Sequence, residues 1–161
     1  YFIRPGDPKI PVIYQVDRAR DGGSFTTRRV VAIQHGKQIF NLSASFHVQE
    51  EGWDYQHPMR EVGKPEDWPS RAETREAMNL LGSSLRPHGL TWFKGNVMTA
   101  SLDHAMWFHA PIEFSDWHLY DLDAPWTGGA RGFNRGAIYS QNGQLVASVA
   151  QEGLMRPVKR K

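Results

Sequence analysis

A chain of 161 residues with 40% hydrophobic residues can fold as one domain or two small ones and is too apolar for disorder. No stretch approaches the roughly 18 apolar residues that a membrane helix needs, and the N-terminus does not read as a signal peptide, so the expectation is a soluble, cytoplasmic protein with no membrane partner. The absence of cysteine removes disulfides, thiolate ligands and cysteine nucleophiles together, and a net charge of +2, with much of the basicity at Arg156, Lys159, Arg160 and Lys161, argues against a nucleic-acid partner.

Residues 12–16 form a β-branched and aromatic run between Pro11 and the Asp21-Gly22-Gly23 turn and read as a strand. Residues 29–34 make a second. After His35-Gly36, residues 38–46 make a third, in which Ile39, Asn41, Ser43 and Ser45 alternate with Phe40, Leu42, Ala44 and Phe46 as in a half-buried hairpin arm. Residues 51–69, rich in charge, Pro and Gly and without sustained period, are a linker. Ser70 and Glu73 then form a capping-box pattern, and Ala77, Met78, Leu81 and Leu85 share one face of a helix bracketed by Gly82 and Pro87. Strands follow at residues 102–108, 117–122, 136–141 and 144–151, with Asn142-Gly143 as a two-residue hairpin turn that asks for positive φ.

The two strand series are imperfect copies. Tyr1, Phe2, Pro5, Tyr14, Asp17, Gly22 and Gly23 fall on Trp107, Phe108, Pro111, Tyr120, Asp123, Gly128 and Gly129 at an offset of 106. One inserted residue later, at 107, Arg28 meets Arg135, Gln34 meets Gln141, Gly36 meets Gly143 and Ile39 meets Val146. A duplicated antiparallel unit with one helix gives an α+β class, with copies at residues 1–50 and 70–161.

The stretches Tyr1-Phe2-Ile3-Arg4-Pro5-Gly6-Asp7, Asp21-Gly22-Gly23-Ser24-Phe25, Ser43-Ala44-Ser45-Phe46, Leu85-Arg86-Pro87-His88-Gly89, Ser101-Leu102-Asp103-His104-Ala105-Met106-Trp107-Phe108-His109 and Gln151-Glu152-Gly153-Leu154-Met155-Arg156 resemble the double-hotdog acyl-CoA thioesterases of the TesB, or thioesterase II, type. The resemblance implies two fused hotdog domains, each a curled antiparallel sheet around a central helix. It implies hydrolysis of fatty acyl-CoA to free fatty acid and CoA in fatty acid metabolism, with no metal, no cofactor and no covalent acyl-enzyme. A carboxylate, a hydroxyl and a Gln amide would hold the attacking water, each acting by position.

Carried over by motif, the hydroxyl is Ser101 and the amide is Gln151; the substrate-binding residues are not identified. Relatives place Asp just before a Met/Leu-Asn-Leu-Leu-Gly stretch, where this chain has Ala77 before Met78-Asn79-Leu80-Leu81-Gly82. The first copy also starts without the leading strand and helix of the family, and the second lacks two strands between linker and helix. The chain is therefore expected to be a fragment or to close over missing residues, above all between Glu76 and Asn79, in a segment carrying the catalytic Asp. With Ala77 in place, the alternative is a non-catalytic acyl-CoA-binding or scaffolding hotdog protein. A hotdog dehydratase is a weaker third reading. Homo-oligomerisation is expected because hotdog sheet edges pair readily.

Strict alternation puts Ser101 and Asp103 on one strand face and His104 on the other, which argues against a nucleophilic triad of these residues. The spacing of His104, His109 and His118 matches no metal-ligand pattern. Gly128-Gly129-x-x-Gly132 lacks the Lys-Ser/Thr of a phosphate loop and reads as a turn. Arg28, Arg29, Arg131 and Arg135 suit phosphate geometry but read first as solvated arginines, and Trp107 and Phe108 as core or acyl-channel wall.

Overall fold

The computed structural model describes residues 1–68, 84–89 and 97–158. They fall into two compact units, Tyr1–Asp54 and Tyr55–Lys161. Most of the expected helix, Ala77, and the window from Glu76 to Asn79 lie outside the described residues. Among the described residues no helix is long and apolar enough to cross a membrane.

The first unit is an antiparallel sheet of β1 (Ile13–Asp21), β2 (Phe25–Gln34) and β3 (Lys37–His47) in that order, and it contains no helix. The β2–β3 link is the two-residue His35-Gly36 turn. Both residues have positive φ, 50° and 68°, the backbone whose twist suits two antiparallel strands. Gln34 fixes the leading segment to this sheet. Its buried amide donates to the Asp7 and Ile10 carbonyls at 2.9 and 2.6 Å and accepts from the Asp7 N–H at 2.8 Å. The edge strand β1 is exposed along its whole length.

The second unit holds β4 (Val97–Ser101), β5 (Ala105–Phe108), β6 (His118–Gly128), β7 (Arg131–Ser140) and β8 (Leu145–Pro157). The order is β4-β8-β7-β6, and β5 also pairs with β8. Thus β4 and β5 lie end to end along one edge of β8, β4 on the Gly153–Pro157 side and β5 on the Ala147–Ala150 side. The strand expected at residues 102–108 is confined to Ala105–Phe108, with residues 102–104 forming a break before it, and β4 is an element that sequence periodicity did not signal. The stretch from Tyr55 onward packs with this unit: the Gln56 amide donates to the Gly143 carbonyl at 2.8 Å and accepts from the Leu145 N–H at 2.9 Å, and Arg60 pairs with Asp121 at 3.3 Å.

The sheet registers show the duplication at atomic detail. Asp17 faces Arg29 and Asp123 faces Arg135; both ladders then slip by a bulge and resume at Arg20–Thr27 and Trp126–Phe133. Every one of these positions is related by 106, so Arg29, not Arg28, is the counterpart of Arg135. The inserted residue sits later, in the β7–β8 turn. That turn is a three-residue loop, residues 141–143, closed by Gly143 N–H to the Ser140 carbonyl and Ser140 N–H to the Gln144 carbonyl, each 2.9 Å. Only Gly143 has positive φ, 85°, so the expected two-residue Asn142-Gly143 turn is replaced by the type that ends in a left-handed glycine.

Ser84 and Leu85 are helical and fully buried, and a short 3-10 turn, Arg86–His88, follows them. Leu85 packs on Met155 of β8 with Val97 of β4 alongside. Gly132 of β7 admits this close approach, because a Cβ there would collide with the Ser84 side chain and come within 2.7 Å of Met155 Sδ. The helix end therefore lies on the β7–β8 face that carries Gly132 and Met155. Trp107 and Phe108, expected inside, are 54% and 68% exposed.

Candidate active site

Cross-strand partners share a sheet face, and side chains two apart on one strand do too. Asn134 is paired with Gln151, and Gly132 with Gly153. Asn134, Gln151, Gly153 and Met155 consequently stand on the helix-facing side. Asn134 is fully buried and its Oδ1 accepts from Ser84 Oγ at 2.6 Å, which ties the helix end to the middle of the sheet.

The break between β4 and β5 completes this face. Ser101 is opposite Gly153, whereas Ala105 is opposite Ala150. Between them the N–H groups of Leu102 and Asp103 both point to one carbonyl, that of Glu152, at 3.1 and 3.5 Å. Two residues face one, which is a β-bulge, and the extra residue reverses the alternation beyond it. The Asp103 carboxylate stabilises the bulge by accepting from the Glu152 N–H at 2.8 Å. His104 thereby arrives on the same side as Ser101, contrary to strict alternation.

The three side chains meet at Gln151, which is 8% exposed. Its Nε2 donates to Ser101 Oγ at 2.7 Å, and its Oε1 lies 3.3 Å from His104 Nδ1. The structure thus brings together the hydroxyl and amide singled out by sequence and adds an imidazole to them. Asp103 does not join them as a relay, because its carboxylate oxygen is held by backbone. Among the described residues no carboxylate accepts a hydrogen bond from Ser101, His104 or Gln151. The arrangement can orient a water or polarise a carbonyl, and neither the Ser101 hydroxyl nor the Gln151 amide is basic enough to take the water's proton.

Asp103→Ala leaves the part-buried Glu152 N–H without its acceptor, and a loss of about 1–2 kcal/mol in urea unfolding is expected, with the bulge and hence His104 released. Unchanged stability would show that water replaces the carboxylate without penalty.

The other candidate residues are placed differently. Arg28 pairs with Asp21, Arg131 with Glu152 at 3.2 Å, and Arg135 with Asp123 through two contacts at 3.0 and 2.5 Å. The hydrogen bond and charge of Asp123 raise the Arg135 guanidinium further above its ordinary range. Partial burial likewise raises the Tyr120 phenol, whose ring fills the space over Gly136. His109 Nε2 meets Ser148 Oγ at 2.8 Å, apart from the His104 contact. In the first unit the register positions of Asn134 and Gln151 are occupied by Arg28 and Ala44, so the amide pair belongs to the second unit alone.

Sequence reasoning set His104 aside on the wrong strand face and missed Asn134 and Ser84. The only signal for His104 was the density of polar groups in Ser101-Leu102-Asp103-His104, which announces a strand break as readily as a site.

Comparison with known proteins adds family and fold. The family model described as acyl-CoA thioesterase matches residues 72–154, and that described as the acyl-CoA thioesterase N-terminal domain matches residues 1–47. Acyl-CoA thioesterase 2 of Haemophilus influenzae is 30% identical over 221 residues, covering 97% of this chain and 77% of the relative. That alignment is longer than the 161-residue chain, so the relative carries internal residues with no counterpart here. The crystal structure of acyl-CoA thioesterase II TesB2 from Mycobacterium marinum matches with a TM-score of 0.87 at 35% identity, over 99% of this chain and 79% of that one. A protein from Alicyclobacillus acidocaldarius described as having a hot dog fold matches at a TM-score of 0.77 over 98% of this chain and 77% of its own, and at 15% identity it speaks to the fold alone.

Proposed function

From a chain that belongs to the acyl-CoA thioesterase family, of the TesB or thioesterase II type, with the double-hotdog fold, we propose hydrolysis of fatty acyl-CoA to free fatty acid and CoA. The observation that supports the site is the 2.7 Å hydrogen bond from Gln151 Nε2 to Ser101 Oγ on the helix-facing side of the second sheet. In this reading both groups orient a water toward the thioester carbonyl carbon. The water oxygen forms the new C–O bond, its proton passes to a carboxylate, and the carbonyl electron pair moves to oxygen. Collapse breaks the C–S bond, and CoA leaves as a thiolate that takes up the proton. Fixed geometry is what the pair contributes, since neither group is strongly basic.

The carboxylate is proposed to be an Asp in an internal segment that relatives carry and this chain lacks, because Ala77 occupies the family position. The proposed division is the C-terminal part of a first hotdog at 1–50, a linker at 51–69 and a second hotdog without its leading strands at 70–161, supported by the unit boundary at Asp54. A cytoplasmic site is proposed from the cysteine-free composition. A homo-oligomer is proposed from the exposed edge strand β1, which among the described residues pairs on one side only and so offers its other edge to another sheet.

Liberated CoA, followed with a thiol reagent on decanoyl-CoA and palmitoyl-CoA, tests the reading. Low turnover, above the uncatalysed rate only because Ser101 and Gln151 still orient a water that solvent must deprotonate, is expected of the chain with Ala77, rising clearly in Ala77→Asp, which restores a carboxylate at the family position. Thermal stabilisation by acyl-CoA with no CoA released from either protein would contradict it and identify a non-catalytic binder.

A further inference from the structure

We propose that His104 is a positioning residue of this site: it fixes which end of the Gln151 amide faces Ser101, and so determines where the Ser101 hydroxyl proton points. The inference rests on the thioesterase reading for its kinetic consequence but not for its geometry.

An amide side chain can be seated in two orientations of almost equal shape and opposite hydrogen-bonding character. With Oε1 toward His104 and Nε2 toward Ser101, as found, the Ser101 oxygen is an acceptor and its proton is free to point away from the protein, toward a water or a developing oxyanion. In the reversed seating Ser101 would donate to Oε1, and that proton would be consumed inside the protein. What discriminates between the two is the group at the far end of the amide. The Nδ1–H form of His104 is a donor and so selects Oε1, which accepts; the Nε2–H form presents a lone pair at Nδ1 and selects the reversed amide, whose Nε2–H donates to it.

His104 reaches this position only because of the bulge. Leu102 and Asp103 share the single partner Glu152, the Asp103 carboxylate clamps the Glu152 N–H at 2.8 Å, and the next residue, His104, is turned onto the face of Gln151. Among the described residues His104 makes the only hydrogen bond to Gln151 Oε1. With Gln151 8% exposed, removing that donor leaves a largely desolvated carbonyl, a defect that amide reversal relieves only by taking the Ser101 proton. A single chain, His104 Nδ1–H to Gln151 Oε1, Gln151 Nε2–H to Ser101 Oγ, Ser101 O–H outward, follows from these contacts.

Two measurements test this. Imidazole ¹⁵N–¹H correlation spectra of the protein at neutral pH should show His104 protonated at Nδ1; a His104 with bare Nδ1 overturns the proposal whether or not the protein releases CoA. In steady-state decanoyl-CoA hydrolysis, His104→Ala should lower kcat about 10- to 100-fold, as expected for a misplaced positioning group, with KM little changed. His104→Asn should recover most of the loss, because its amide nitrogen lies as many bonds from Cβ as Nδ1 does, while His104→Gln should not. In a Gln151→Ala background, His104→Ala should cost no more than about twofold, the scatter of such cycles, because a residue that acts through the Gln151 contact has nothing left to lose once that contact is gone. A full additional loss in that background, or His104→Asn as impaired as His104→Ala with unchanged Tm, would show that His104 does not act through Gln151. Wild-type protein that releases no CoA would sink the thioesterase reading while leaving the spectroscopic test in force.

Discussion

Gln151→Ala lowers kcat for decanoyl-CoA by about 10- to 1000-fold, and Ser101→Ala does so within the same range, the effect expected for loss of an orienting group in acid–base catalysis by water. The geometry explains why the two should behave alike. Gln151 Nε2 and Ser101 Oγ are bonded at 2.7 Å, so removing the amide frees the hydroxyl to rotate and removing the hydroxyl leaves the amide N–H without its acceptor. For the same reason the double substitution should fall well short of the product of the single effects. Stability gives a control. Gln151 is buried but Ser101 is half-buried, so Ser101→Ala should leave Tm nearly unchanged while its kcat falls. Two independent, fully multiplicative losses would mean that the pair does not serve one water.

Gly132→Ala produces the largest expected loss of stability. A methyl at this position meets the Ser84 side chain and stands 2.7 Å from Met155 Sδ, so the helix end must retreat from the sheet. Overpacking of this kind costs about 1–3 kcal/mol, which for a chain of this length lowers Tm by roughly 2–12 °C. Because Ser84 Oγ also holds the buried Asn134 beside Gln151, activity should fall with it. Gly23→Ala is the matched control, since no atom lies within 4 Å of a Cβ built there, and no change beyond about 0.5 kcal/mol is expected. Equal effects at the two glycines would contradict the packing described for Ser84.

The sequence's alternation and turn chemistry foretold the hairpins because both act locally. In β3, apolar and polar residues alternate against β2, and His35-Gly36 fits the two left-handed positions of its turn. The duplication was legible from aromatics and glycines in order. Its insertion was not, because Arg28-Arg29 offers two equally good matches for Arg135, and only the bulge shared at Asp17 and Asp123 decides between them. The candidate site was half legible. Ser101 and Gln151 came from a family resemblance, not from period or spacing, and their contact depends on β4 and β8 pairing across 50 residues. His104 was assigned to the wrong face because alternation assumes an uninterrupted strand. A bulge is a tertiary event here, stabilised by Asp103 reaching Glu152, and nothing within residues 101–104 specifies it alone.

Water held by Ser101 and Gln151 is proposed to attack the thioester directly. Mass spectrometry of the protein quenched while it is releasing CoA from decanoyl-CoA tests this most directly. Only the unmodified 18.4 kDa chain is expected at every time point. A decanoyl adduct that forms and decays with turnover, mapped to Ser101, would show that the hydroxyl is a nucleophile and would contradict it.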